Sequence, residues 1–206
     1  MNNKKIPNTY FLHIPKCAGN QLNKLFFSYG HRSILEIQKS NIYNEKLKIF
    51  TIVRNPYDRF ISAYFYLKQN GAFDKKNKQL YNDFINIKSI EELILLLFND
   101  FKKYPINFTR ITTNSFLNII HFRPMYTFVC DNELKLLVND ILKFENLEYQ
   151  INLLFKKYNI NKQFIKTNSS KRKHFMYYFN QLNKDYIDKF NEIYDSDFKL
   201  FNYKKI

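Results

Sequence analysis

The first regular feature of the chain is an apolar run, Tyr10–Ile14, which contains one histidine, His13. A short run without polar alternation suits a β-strand buried on both faces. From Asn20 the period changes. Leu22, Leu25, Phe26 and Tyr29 follow i, i+3, i+4, i+7, the spacing of an amphipathic helix. A second unit of the same kind follows. "KIFTIV" (Lys48–Val53) reads as a buried strand, and "RNPYDRFISAYFYL" (Arg54–Leu67) runs on into a helix. Pro56 suits the first helical turn, and Phe60, Ile61, Tyr64 and Phe65 form its apolar stripe. Strand–turn–helix repeated in this way predicts an α/β fold with a parallel sheet, whose ligands sit at the carboxyl ends of the strands.

Beyond this the pattern is less regular. Gly71–Lys88 is polar and reads as loop. Ser89 followed by Glu92 is a capping box, opening a helix that turns Ile90, Leu93, Ile94, Leu97 and Phe98 inward. Thr109–Tyr126 is irregular and reads as a lid or acceptor loop. "YTFVC" (Tyr126–Cys130) and "DILKF" (Asp140–Phe144) read as strands. Leu147, Ile151, Leu154, Phe155 and Tyr158 mark a helix. "KTNSSKRKH" (Lys166–His174) is a basic loop. A closing helix carries Ile187, Phe190, Ile193, Tyr194, Phe198 and Phe201.

With 206 residues the chain is expected to form one domain, residues 1–206. The 22 Phe and 16 Tyr supply core volume without any Trp. A net charge of +15 fits a nucleic-acid binder, a protein on an anionic membrane surface, or an enzyme for anionic ligands. No basic helix or aromatic platform supports the first, so no nucleic-acid partner is expected. Cys17 and Cys130 are two thiols, too few for a disulfide framework. No signal peptide and no apolar block long enough to span a bilayer is present, which gives an expectation of a cytoplasmic protein. No His, Cys or Asp cluster has metal-ligand spacing, so no metal is expected.

The turns after the two strands carry the candidate chemistry. The first lacks G-x-x-x-x-G-K-[ST] and is no Walker A loop. Lys16 lies just past the first strand, where its ammonium can meet a phosphate or sulfate. Arg54 ends the second strand, and Ser62 lies eight residues on along the following helix. An Arg fork and a hydroxyl suit a phosphate. Two such sites suit a ligand phosphorylated at both its 5′ and 3′ ends. Among the histidines, His31 falls between the two turns. His13 reads as structural, and His174 as a cap.

"FLHIPKCAGNQL" resembles the 5′-phosphosulfate loop of sulfotransferases, and "FTIVRNPYDRFISAY" resembles their 3′-phosphate motif. "GHRSILEI", "HFRPMYTFV", "DILKFENLE" and "IYDSDFKLFNY" follow in order and resemble further segments of the carbohydrate O-sulfotransferases of the heparan 2-O and chondroitin 4-O type. The resemblance covers most of the chain. It implies a P-loop-like three-layer fold, with a central parallel sheet flanked by helices. It also implies sulfuryl transfer from 3′-phosphoadenosine 5′-phosphosulfate (PAPS) to a hydroxyl of a saccharide or polysaccharide.

Carried over by position, Lys16, Cys17, Ala18, Gly19, Asn20 and Gln21 would hold the 5′ end of PAPS. Arg54 and Ser62 would hold the 3′-phosphate, and Lys171 and Arg172 would close over the nucleotide. Lys16 would stabilise the leaving phosphate and His31 would be the general base. His121 is the other candidate base or, with Arg123, an acceptor contact. Asn20 and Gln21 depart from the Thr or Ser usual there, which leaves open a non-catalytic nucleotide- or glycan-binding protein of the same fold.

Overall fold

The computed structural model describes residues 5–69, 78–104, 116–165 and 172–206. In chain order its elements are β1 (Thr9–Leu12), α1 (Gly19–Leu22), α2 (Ile34–Gln38), β2 (Lys48–Val53), α3 (Pro56–Lys68), α4 (Lys78–Asn86), α5 (Ile90–Lys103), α6 (Tyr126–Val129), β3 (Asp140–Lys143), α7 (Leu147–Lys157), α8 (Phe175–Phe179), α9 (Lys184–Ile193) and α10 (Asp195–Leu200). The fold is α/β, a parallel sheet flanked by helices. Two compact units divide the chain: residues 1–55 with 128–172, and residues 56–127 with 173–206.

The first unit holds the sheet. Its three strands run parallel in the order β1-β2-β3, with Phe11 opposite Phe50 and Thr51 opposite Ile141. Every residue of β1, and all of β2 from Ile49 onward, is buried. That is why these strands show no polar alternation. The Thr51 hydroxyl is reconciled with this burial by donating to the Leu12 carbonyl at 2.8 Å. Phe50 packs against Phe11 and Phe26, and Phe26 in turn meets Phe155 of α7.

The helix expected from Asn20 is a single turn, Gly19–Leu22. Past it the chain pairs with its own N-terminal segment. Phe11 N–H donates to Phe27 O at 2.8 Å, and Ile6 N–H to Leu25 O at 3.0 Å. Leu25 and Phe26 N–H still donate to Leu22 O, both at 2.9 Å, and the chain leaves the helical pattern at Phe27, which bridges to Tyr10. The next helix, α2, has a full capping box. The Ser33 hydroxyl accepts from Glu36 N, and the Glu36 carboxylate accepts from Ser33 N at 2.7 Å.

The second unit is helical around an aromatic core of Tyr57, Phe60, Phe84, Phe122, Phe179, Phe190 and Phe198. Three readings change here. Residues 78–86, expected as loop, form α4, with Phe84 buried. The Lys68 ammonium donates to the carbonyls of Phe84, Ile85 and Ile87 at the end of that helix, which supports its terminus. Tyr126–Val129 is a helical turn, not a strand. The cause is Asp197, whose two carboxylate oxygens accept from Met125 N and Tyr126 N, both at 2.8 Å. The closing helix is broken at Tyr194 into α9 and α10, and the Tyr194 hydroxyl donates to Phe122 O at 2.7 Å. Ser89 caps α5 as expected, but Glu92 reaches Lys88 N–H instead of the cap residue's own N–H. The segments 70–77, 105–115 and 166–171, which take in residues 109–115 of the expected lid and the greater part of the basic loop, lie outside the described residues. The rest of the expected lid, 116–126, is no loose loop, for Leu117, Ile119 and Phe122 pack into the core.

Candidate functional site

Parallel strands end on the same side, so the sheet gathers the residues that follow β1, β2 and β3. After β1 the chain makes a sharp turn. Lys16 has φ 67° and Ala18 has φ 62°. The left-handed conformation costs about 1–2 kcal/mol at a residue with a Cβ, and such conformations concentrate at functional sites. Cys17 between them is buried, and its N–H donates to Ile14 O at 3.2 Å. Gln21 N–H donates to Ala18 O at 3.4 Å. The backbone of Asn20 belongs to α1.

After β2 comes Arg54, which is 7% exposed. Its Nη1 donates to the Lys16 carbonyl at 2.9 Å, tying the end of β2 to the turn after β1. Its guanidinium lies 4.1 Å from the ring centre of Phe144, the residue after β3, a stacking geometry that favours Arg over Lys. Glu145 then accepts from Asn55 N–H at 2.7 Å. All three strand ends are thereby joined around one guanidinium. Burial, aided by the positive charges of Arg54 and Arg172, lowers the Lys16 ammonium to a pKa of about 8. Three cations act on one another here, an arrangement that an anion relieves.

The fourth feature is a pair of imidazoles. His31 Nδ1 lies 3.2 Å from the His13 carbonyl, and the two rings are 4.4 Å apart. His13 also packs on Phe11 at 5.5 Å. Burial, aided by His31 and Lys16, holds the His13 pKa down to about 3. The ring fits because residue 19 is glycine: a Cβ there would lie 1.8 Å from His13 Nε2.

Lys16, Cys17, Ala18, Gly19, Gln21, His31, Arg54 and Arg172 all belong to the first unit. Lys171 lies outside the described residues. Ser62, His121 and Arg123 belong to the second. Ser62 is half-buried on α3, and the His121 ring lies 5.3 Å from that of Tyr66. Arg123 is buried, with Nε donating to the Thr127 hydroxyl at 2.8 Å and its own carbonyl accepting from Arg59 at 2.8 Å. His174 caps α8, accepting from Met176 N at 3.4 Å. Sequence reasoning passed over Phe144 and Asn23, for neither carries a motif of its own.

The model of the sulfotransferase family matches residues 7–204. The chain belongs to the sulfotransferase family. No curated protein and no solved structure matches it in the same comparisons. As a sulfotransferase it has to bring nucleophile, sulfur and leaving oxygen into line and to stabilise the charge that builds on the leaving group. Positioning and electrostatics do most of that work. The described residues of this sulfotransferase hold no group of His, Cys, Asp or Glu fit to bind a metal, and no helix among them is long and apolar enough to cross a membrane.

Proposed function

We propose that this sulfotransferase takes its sulfuryl group from PAPS and passes it to a hydroxyl of a saccharide or polysaccharide, as the resemblance to the heparan 2-O and chondroitin 4-O enzymes implies. Lys16 meets the 5′ phosphosulfate and Arg54 the 3′-phosphate, with Arg172 adding charge to the nucleotide site. The acceptor oxygen attacks sulfur while the bond from sulfur to the phosphate oxygen breaks. The acceptor proton passes to His31. The electron pair leaves with 3′-phosphoadenosine 5′-phosphate (PAP), whose oxygen Lys16 stabilises.

The observation that carries this reading is the meeting of Lys16 and Arg54 at adjacent strand ends, 2.9 Å from guanidinium to carbonyl. Two cations held there suit a nucleotide with two phosphate groups better than one with a single phosphate.

Calorimetry with PAP and with AMP tests the donor, and labelled sulfate offered to a panel of saccharides tests the acceptor. PAP is expected to bind at least about tenfold more tightly than AMP, which is 1.4 kcal/mol. His31→Ala is expected to keep that affinity and lose roughly 10²–10⁴ in transfer rate. Equal affinity for the two nucleotides overturns the donor assignment. Binding of PAP without transfer to any saccharide overturns the acceptor assignment and favours the non-catalytic reading that Asn20 and Gln21 raise.

A further inference from the structure

His13 touches three parts of the site at once. On one side its ring lies against the backbone of Gly19, at a spacing that leaves no room for a Cβ. On its edge Asn23 Nδ2 lies 3.4 Å from Nδ1. An amide nitrogen only donates, so Nδ1 accepts and the ring proton sits on Nε2. On its other side are the His31 ring, 4.4 Å away, and the bond from His31 Nδ1 to the His13 carbonyl at 3.2 Å. A carbonyl only accepts. His31 therefore carries its proton on Nδ1, and its lone pair is on Nε2.

We propose that His13 is a positioning residue for sulfuryl transfer: its carbonyl fixes His31 as the Nδ1–H tautomer, its ring holds the His31 imidazole in place, and Asn23 keeps that ring neutral. The proposal rests on the reading of His31 as the general base. The physical reason is charge. When His31 takes the acceptor proton it becomes a cation, and a second cation on His13 would oppose it. The charged groups acting on His13 are Lys16 and His31, both positive when protonated, and both keep a proton off it. The carbonyl of His13 points the opposite way electrostatically, with its negative end toward the Nδ1–H of the imidazolium that forms.

The test is nitrogen-15 NMR of the imidazoles in the wild type, His13→Phe and His13→Ala, with PAP binding followed by calorimetry. In the wild type His31 is expected as Nδ1–H, and His13 as Nε2–H without protonation down to about pH 4. His13→Phe keeps a flat ring between Gly19 and His31, so the His31 tautomer and most of the transfer rate are expected to persist. His13→Ala removes the ring. The Nδ1–H population of His31 is expected to fall and the transfer rate to drop about 10–100-fold, with PAP affinity within about threefold of the wild type.

A wild-type His31 that is mainly Nε2–H overturns the proposal, and this outcome needs no variant to fold. So does a His13→Ala protein that keeps both the tautomer and the rate while His31→Ala loses transfer. If His31→Ala transfers sulfate as fast as the wild type, it is the base assignment that fails, and the two failures are thereby told apart.

Discussion

Arg54 donates to the backbone carbonyl of Lys16 across 2.9 Å, from the end of β2 to the turn after β1. The bond holds in place a lysine whose backbone is left-handed, and the same guanidinium stacks on Phe144. Arg54→Lys keeps the charge and loses both the fork and the flat stacking face. It is expected to weaken PAP binding by about tenfold or more, while Arg54→Ala also lowers stability by about 1–3 kcal/mol through the lost buried bond. Calorimetry and urea unfolding read the two effects separately. A lysine variant with wild-type affinity would show that position 54 supplies charge alone.

Lys16 makes binding pH-dependent. Its pKa in the folded protein is about 8, against an ordinary value of 10.5. Between these values the folded chain binds fewer protons than the unfolded one. The penalty for charging Lys16 is therefore fully present below about pH 8, and stability from this group rises as pH climbs toward 10.5. Phosphate binding reverses the sign by favouring the charged amine. Near pH 8–9, PAP binding is expected to take up protons and its affinity to fall as pH rises further. Calorimetry in buffers of different ionisation enthalpy measures the uptake. Lys16→Ala is expected to abolish it and to lower the transfer rate by roughly 10²–10³.

Some of this was legible in the residues and some was not, for physical reasons. A strand buried on both faces announces itself as an unbroken apolar run, which is how "KIFTIV" and the Tyr10 run declare β1 and β2. Ser89, which accepts from Glu92 N–H, marks the start of α5 in the same local way. The spacing of Leu22, Leu25, Phe26 and Tyr29 fits a helix, but at Phe27 the chain pairs with Tyr10 instead of continuing one, and no window of local sequence contains that pairing. "YTFV" has strand-like composition and becomes helical because a carboxylate some seventy positions away in sequence, on Asp197, caps it. At the site, Lys16 and Arg54 are visible because each follows a strand. The part played by His13 is invisible until Gly19, Asn23 and His31 are folded around it.

Gly19 is where the turn and the imidazole pair constrain each other. An alanine Cβ would meet His13 Nε2 at 1.8 Å, so the ring must move or the turn must open. Gly19→Ala is expected to cost about 1–3 kcal/mol of stability through this overpacking, to weaken PAP binding, and to disturb the His31 tautomer together with it. Combining Gly19→Ala with His13→Ala removes the clash. The double variant is expected to recover part of the stability and PAP affinity without recovering the transfer rate. Additive losses in the double variant would mean that the two residues are not in contact in solution.

Asp197 gives the second unit its own pH signature. Burial raises its carboxyl to about 6 from 3.8, against the opposing pull of two backbone N–H groups and the Arg59 charge. A raised carboxyl pKa means that the folded chain binds the extra proton between these two values. This group therefore adds stability as pH falls from about 6 toward 4 and withholds it at neutral pH. Asp197→Ala removes the acceptor for Met125 N–H and Tyr126 N–H. With two buried donors left without a partner, at about 1–3 kcal/mol each, it is expected to destabilise the protein strongly at pH 7. It is also expected to lose the acid-side gain that the wild type shows. Urea unfolding from pH 4 to pH 7 measures both, and parallel pH profiles for the two proteins would mean that some other group titrates.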